Sequence, residues 1–110
     1  MPRRPIKLIL VTAEHHPYHK MWINIAKEVS RELGVELEVR EEDYIFLTEH
    51  GDKDEYGMAW LPQLIVQYDD GSYKVALSNL PLGKDYKPDQ HKAVKEALNN
   101  TLVDEAQIHH

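Results

Sequence analysis

The chain has 110 residues, 42% of them apolar and 29% charged, and its formal net charge is −6 with histidine neutral. That length makes one domain, residues 1–110, able to bury about two-thirds of its unfolded surface without a disulfide or structural metal. It is acidic, with lysines and arginines interleaved with acids, which argues against nucleic acid as a partner, and it has no cysteine, which removes disulfides, thiolate nucleophiles and cysteine-held clusters.

Taken in chain order, Met1 to Pro5 is basic, but no small-residue cleavage site follows an apolar core of about 7–15 residues. The apolar run Ile6 to Ala13 is broken by Lys7 and is far shorter than the ~20 residues that span a bilayer. The reading is a cytoplasmic protein with no membrane partner. Lys7 to Ala13 (KLILVTA) is short, apolar and β-branched at three positions, a buried strand. Pro17 suits the first turn of a helix, and Trp22, Ile25, Ala26, Val29 and Leu33 then recur at helical spacing until Gly34 stops it. Val35, Leu37 and Val39 alternate with charged residues, a half-buried strand.

Glu41 to Trp60 is expected to hold one short helix and a loop broken by Gly51 and Gly57. Gln63 to Tyr68 reads as strand, Asp69-Asp70-Gly71 as a hairpin turn and Ser72 to Leu77 as its partner strand. Leu80 to Lys87 is loop. A last helix begins at Pro88, with Ala93, Val94, Ala97, Leu98 and Leu102 on one face. Asp104 to His110 is expected to fray, and His109-His110 has the character of a tag remnant. The order is β-α-β-(α)-β-β-α: a parallel pair with a right-handed crossover, then an antiparallel hairpin, in a mixed α/β sheet flanked by helices.

The segment Ala13-Glu14-His15-His16-Pro17-Tyr18-His19-Lys20-Met21-Trp22 resembles the thioredoxin active-site turn, Ala-Glu-Trp-Cys-Gly-Pro-Cys-Lys-Met-Ile, and more closely still the glutaredoxin turn Cys-Pro-Tyr-Cys. His16 and His19 fall at the two cysteine positions. Tyr56 to Val66 is similar to the thioredoxin stretch that enters the third strand through a cis-proline, here Pro62. The resemblance covers nearly the whole chain and implies a thioredoxin-like fold with a mixed four-stranded sheet. It also implies a redox-inactive member. Both cysteines are histidine, and the family's buried aspartate aligns near Leu10, which carries no proton. Thiol–disulfide exchange needs a thiolate attacking sulfur, and imidazole does not replace it. No catalytic residue is assigned.

Two constellations remain. If the turn matches, His16 is the helix N-cap and His19 lies one turn inside, so both rings face one side. Neutral imidazoles there are candidate ligands for a zinc, copper or nickel ion, with His15 or Glu14 completing the shell. The plainer reading is a polar cap. Tyr18, Trp60, Leu61 and Pro62 form the second. In the resembling fold the turn and the proline loop lie side by side as a shallow groove that takes an extended peptide. Trp60 either lines that groove or packs into the core beside Trp22. Gly51, Gly57 and Gly83 make no phosphate-binding pattern, the acidic runs lack EF-hand spacing, and His50 and His91 read as isolated surface residues.

The expected function is therefore a redox-inactive binding module for a protein segment or small ligand, monomeric or a weak homodimer. One alternative is a transition-metal-binding protein using His16 and His19. The other is a cysteine-to-histidine variant of a thiol–disulfide oxidoreductase.

Overall fold

Strand β1 (Pro5–Thr12) grows from the KLILVTA run, and its alternation buries both faces. Leu8 and Leu10 meet one cluster of core residues and Ile9 and Val11 another, as in a central strand covered on both sides. The computed structural model of the chain describes residues 3–102; the expected fraying of Asp104 to His110, with His109-His110, lies outside the described residues.

Helix α1 (His19–Leu33) buries Trp22, Ile25, Ala26 and Val29. It ends on Gly34 at φ 67, where Gly34 and Val35 N–H groups return to the Arg31 and Ser30 carbonyls. The helix starts later than Pro17 implies. His16 N–H bonds to the Ala13 carbonyl and His19 N–H to the His16 carbonyl, each at 3.0 Å, so residues 13–18 form tight turns. The first helical bond is Trp22 N–H to the Tyr18 carbonyl, and Tyr18 is the N-cap.

β2 (Glu36–Glu41) runs parallel to β1. α2 (Tyr44–His50) is the expected short helix, capped by the Asp43 carboxylate on Phe46 N–H. β3 (Gln63–Tyr68) pairs antiparallel with β1, and β4 (Tyr73–Leu77) antiparallel with β3. α3 (Gln90–Leu102) closes the described chain. The sheet order is β2-β1-β3-β4, with α1 and α3 packed together on one face and α2 on the other.

Two apolar positions differ from the sequence reading. Val39 is 47% exposed, because β2 is an outer strand whose face α1 covers only in part. Leu102 is 60% exposed: it lies about 120° around α3 from the centre of the stripe formed by Ala93, Val94, Ala97 and Thr101. Thr101 takes the buried place because its polar atoms are satisfied. Its hydroxyl donates to the Ala97 carbonyl and its own carbonyl accepts from the Tyr68 hydroxyl, both at 2.8 Å.

Candidate functional site: an aromatic groove

β1 ends at Thr12, β4 ends at Leu77 and β3 begins at Gln63, so three connections gather at one edge of the sheet: residues 13–18, residues 51–62 and residues 78–89. Between them lies a groove of about 390 Å³. All four expected groove residues line it. Pro62 is buried, Trp60 and Leu61 are half-buried, and Tyr18 is 43% exposed. The Leu61–Pro62 bond is cis, as the likeness of residues 56–66 to the proline loop implies. Of the two readings of Trp60, the groove is the one it takes: it lines the groove, as Trp22 does, and is not among the residues packed against the core cluster that holds Trp22.

The wall that carries Trp60 is braced from below. Gln63 is fully buried at the start of β3. Its amide nitrogen donates to the Asp52 carbonyl (3.0 Å) and the Trp60 carbonyl (2.7 Å), and its amide oxygen accepts from Asp52 N–H (2.8 Å). Ser78 Oγ donates to the Asp52 carboxylate (2.6 Å), and Trp60 Nε1–H donates to the Ser78 carbonyl (2.9 Å). The ring Gln63–Asp52–Ser78–Trp60 is thus closed by hydrogen bonds. It fixes the indole and uses up its N–H. Gly51 makes room for it: a Cβ there would stand 2.9 Å from the Leu47 carbonyl oxygen and 3.0 Å from Gln63 Oε1. By contrast, Leu61 N–H and C=O are bonded to no described residue.

The histidines separate. His16 lines the groove, and its Nδ1 accepts Tyr18 N–H at 3.1 Å, which puts the neutral ring's proton on Nε2. A metal ion on Nε2 would move that proton to Nδ1 and break the bond. His19, first residue of α1, instead pairs its Nδ1 with Oγ1 of the buried Thr12 at 3.1 Å. His16 thus stands two residues ahead of the N-cap rather than on it, because the 13–18 turns use up the residues that the sequence reading gave to the helix. His15 and Glu14 are exposed and do not line the groove; Glu14 N–H donates to the Glu41 carboxylate. Among the described residues no three His, Cys, Asp or Glu side chains gather as a metal site.

Elsewhere, His50 is not isolated. Its ring lies 4.1 Å from that of Tyr73 and 4.9 Å from that of Phe46. His91 is exposed. Asp43 is also more than a solvated acid. The Phe46 N–H first, and then the Arg40 guanidinium, hold its carboxyl below the usual range, and Lys7 and Arg40 do the same for Glu38.

Sequence reasoning missed the third wall. Leu80, Leu82, Tyr86 and Pro88 line the groove from a stretch that reads only as loop. Tyr86 sits at φ 62, a left-handed conformation rare for an aromatic residue, and is 85% exposed. The loop holds it there: Tyr86 N–H bonds to the Gly83 carbonyl, Gly83 N–H to the Lys87 carbonyl and Asp89 N–H to the Pro81 carbonyl. A tyrosine between Asp85 and Lys87 gives no sequence signal for this role. No helix among the described residues is long and apolar enough to cross a membrane. Comparison of the chain with protein-family models, with curated proteins and with solved structures finds no match in any of the three.

Proposed function

We propose that this chain is a redox-inactive, thioredoxin-like binding module that holds a protein segment or small ligand at the groove between residues 13–18, 60–62 and 78–88. One observation carries the reading: aromatic side chains from three separate connections converge on a concavity that Leu61 also lines, with its main-chain N–H and C=O bonded to no described residue. Concave, mostly apolar sites with a few placed polar groups are the usual form of binding pockets, and a free main-chain donor and acceptor can pair with an extended chain. The sheet order, with a parallel first pair and an antiparallel hairpin, supports the thioredoxin-like part of the reading. The lack of any cysteine supports the redox-inactive part.

Both tryptophans of the chain line the groove, so their fluorescence reports on it directly. A capped hexapeptide of alternating valine and threonine is the probe for an extended segment. The expected result is a saturable change in tryptophan emission that Tyr18→Ala weakens at least fivefold. A linear, non-saturating response, or one that Tyr18→Ala leaves intact, would remove the groove as the binding site.

A further inference from the structure

We infer that the groove's occupant is an uncharged, proline-rich protein segment in the polyproline II conformation, seated against the half-buried Trp60 and Leu61 and held at the rim by Tyr18 and Tyr86; this rests on the binding reading above and narrows it to one ligand chemistry. Charge comes first. Although 29% of the chain is charged, no Asp, Glu, Lys or Arg among the described residues lines the groove. A charged group carried into it would lose water and meet no counter-ion, so the segment that fits is neutral.

Backbone chemistry comes next. A β-strand ligand needs an edge that offers an N–H at every second residue. Pro62 and Pro88 line this groove and have no N–H, and Leu82 and Pro88 already face each other in a bridge. A β-strand ligand is therefore left with one pairing position, the main chain of Leu61, rather than a continuous ladder. A polyproline II segment makes no such demand. It has no internal hydrogen bonds, its carbonyls stay accessible, and it docks on aromatic surfaces with little conformational entropy left to lose. The donors its carbonyls need cannot include the Trp60 indole, which is bonded to the Ser78 carbonyl. The exposed Tyr18 and Tyr86 hydroxyls and the Leu61 N–H supply them. Tyr86 is the residue that selects. Its left-handed backbone completes the tight turn closed by the Tyr86–Gly83 and Gly83–Lys87 main-chain bonds, and that turn presents an almost fully exposed ring at the rim.

The test is a ¹⁵N-resolved NMR titration of the full chain with three capped peptides: octaproline, the valine–threonine hexapeptide and a glycine–serine octamer. Octaproline is expected to shift the Tyr18 and Leu61 amides and the Trp60 indole N–H saturably. Its affinity is expected to fall at least fivefold in Tyr86→Ala and to be partly restored in Tyr86→Phe. The glycine–serine peptide is expected to leave these signals in place. Because Tyr86 is exposed, both variants keep the parent amide spectrum away from residues 80–90. If only the valine–threonine peptide shifts the groove signals, the proline inference fails and the binding reading stands. If no peptide shifts them, or octaproline shifts only signals elsewhere, both fail. Octaproline binding unaffected by Tyr86→Ala would overturn the selecting role of Tyr86.

Discussion

Single residues set both the strain and the stability of this protein. Tyr86 sits at φ 62, where a side chain costs about 1–2 kcal/mol that glycine does not incur. Glycine gives back about 0.5–1 kcal/mol through the greater freedom of the unfolded chain. Tyr86→Gly is therefore expected to be neutral or stabilising by up to about 1.5 kcal/mol in urea unfolding while weakening octaproline binding at least fivefold; a loss of stability would mean that the ring is packed rather than presented. Asp43 makes a prediction of the opposite kind. Its carboxyl is depressed, first by the Phe46 N–H and then by Arg40, so its stabilisation is present above the unfolded-state pKa and is lost as pH falls through the lower folded-state value. Asparagine caps a helix about as well but carries no charge. Asp43→Asn is expected to be less stable than the parent at pH 7, with the difference shrinking steadily as pH falls below the unfolded-state pKa, measured by urea midpoint. A difference that stays constant with falling pH would show that the cap geometry, not the charge, is what is lost.

At the scale of elements, periodicity carried most of the architecture. The α1 stripe was legible through its period, β1 as a short apolar, β-branched run, and the Gly34 stop and the 69–71 turn through the turn chemistry of glycine and aspartate. Val39 and Leu102 misled because period alone does not tell a central strand from an outer one, or locate the centre of a helix stripe. The Tyr18, Trp60, Leu61 and Pro62 side of the groove was legible through its likeness to a known turn and loop. The 78–88 wall was not, since loop side chains obey no period, and the Gln63 ring was hidden because its bonds run to main-chain atoms and to Ser78, distant in sequence. Gln63→Leu keeps the volume and removes the bonds. It is expected to destabilise by about 1–3 kcal/mol and to accelerate exchange of the Trp60 indole N–H with solvent. Gly51→Ala, which drives a methyl into the Leu47 carbonyl and Gln63, is expected to cost a similar amount. Unchanged indole exchange in Gln63→Leu would contradict the bracing role.

At the scale of the whole molecule, an α/β sheet covered on both faces supports a groove at one edge, and the chain brings no thiol to it. Insulin disulfide reduction is accordingly expected at the rate of the added dithiol alone, with any excess pointing to chemistry outside this account. The central claim is that the edge where residues 13–18, 60–62 and 78–88 meet is the face this protein uses. The exposed apolar residues Tyr44 and Ile45 of α2, on the other side of the sheet, are the natural competitor. The most direct measurement is an amide chemical-shift map of the full chain titrated with the capped octaproline and valine–threonine peptides. The account predicts that saturable shifts cluster at Tyr18, the Trp60 indole, Leu61 and Tyr86 and leave α2 unmoved. Shifts that cluster instead at Tyr44 and Ile45, or fail to saturate anywhere, would contradict it.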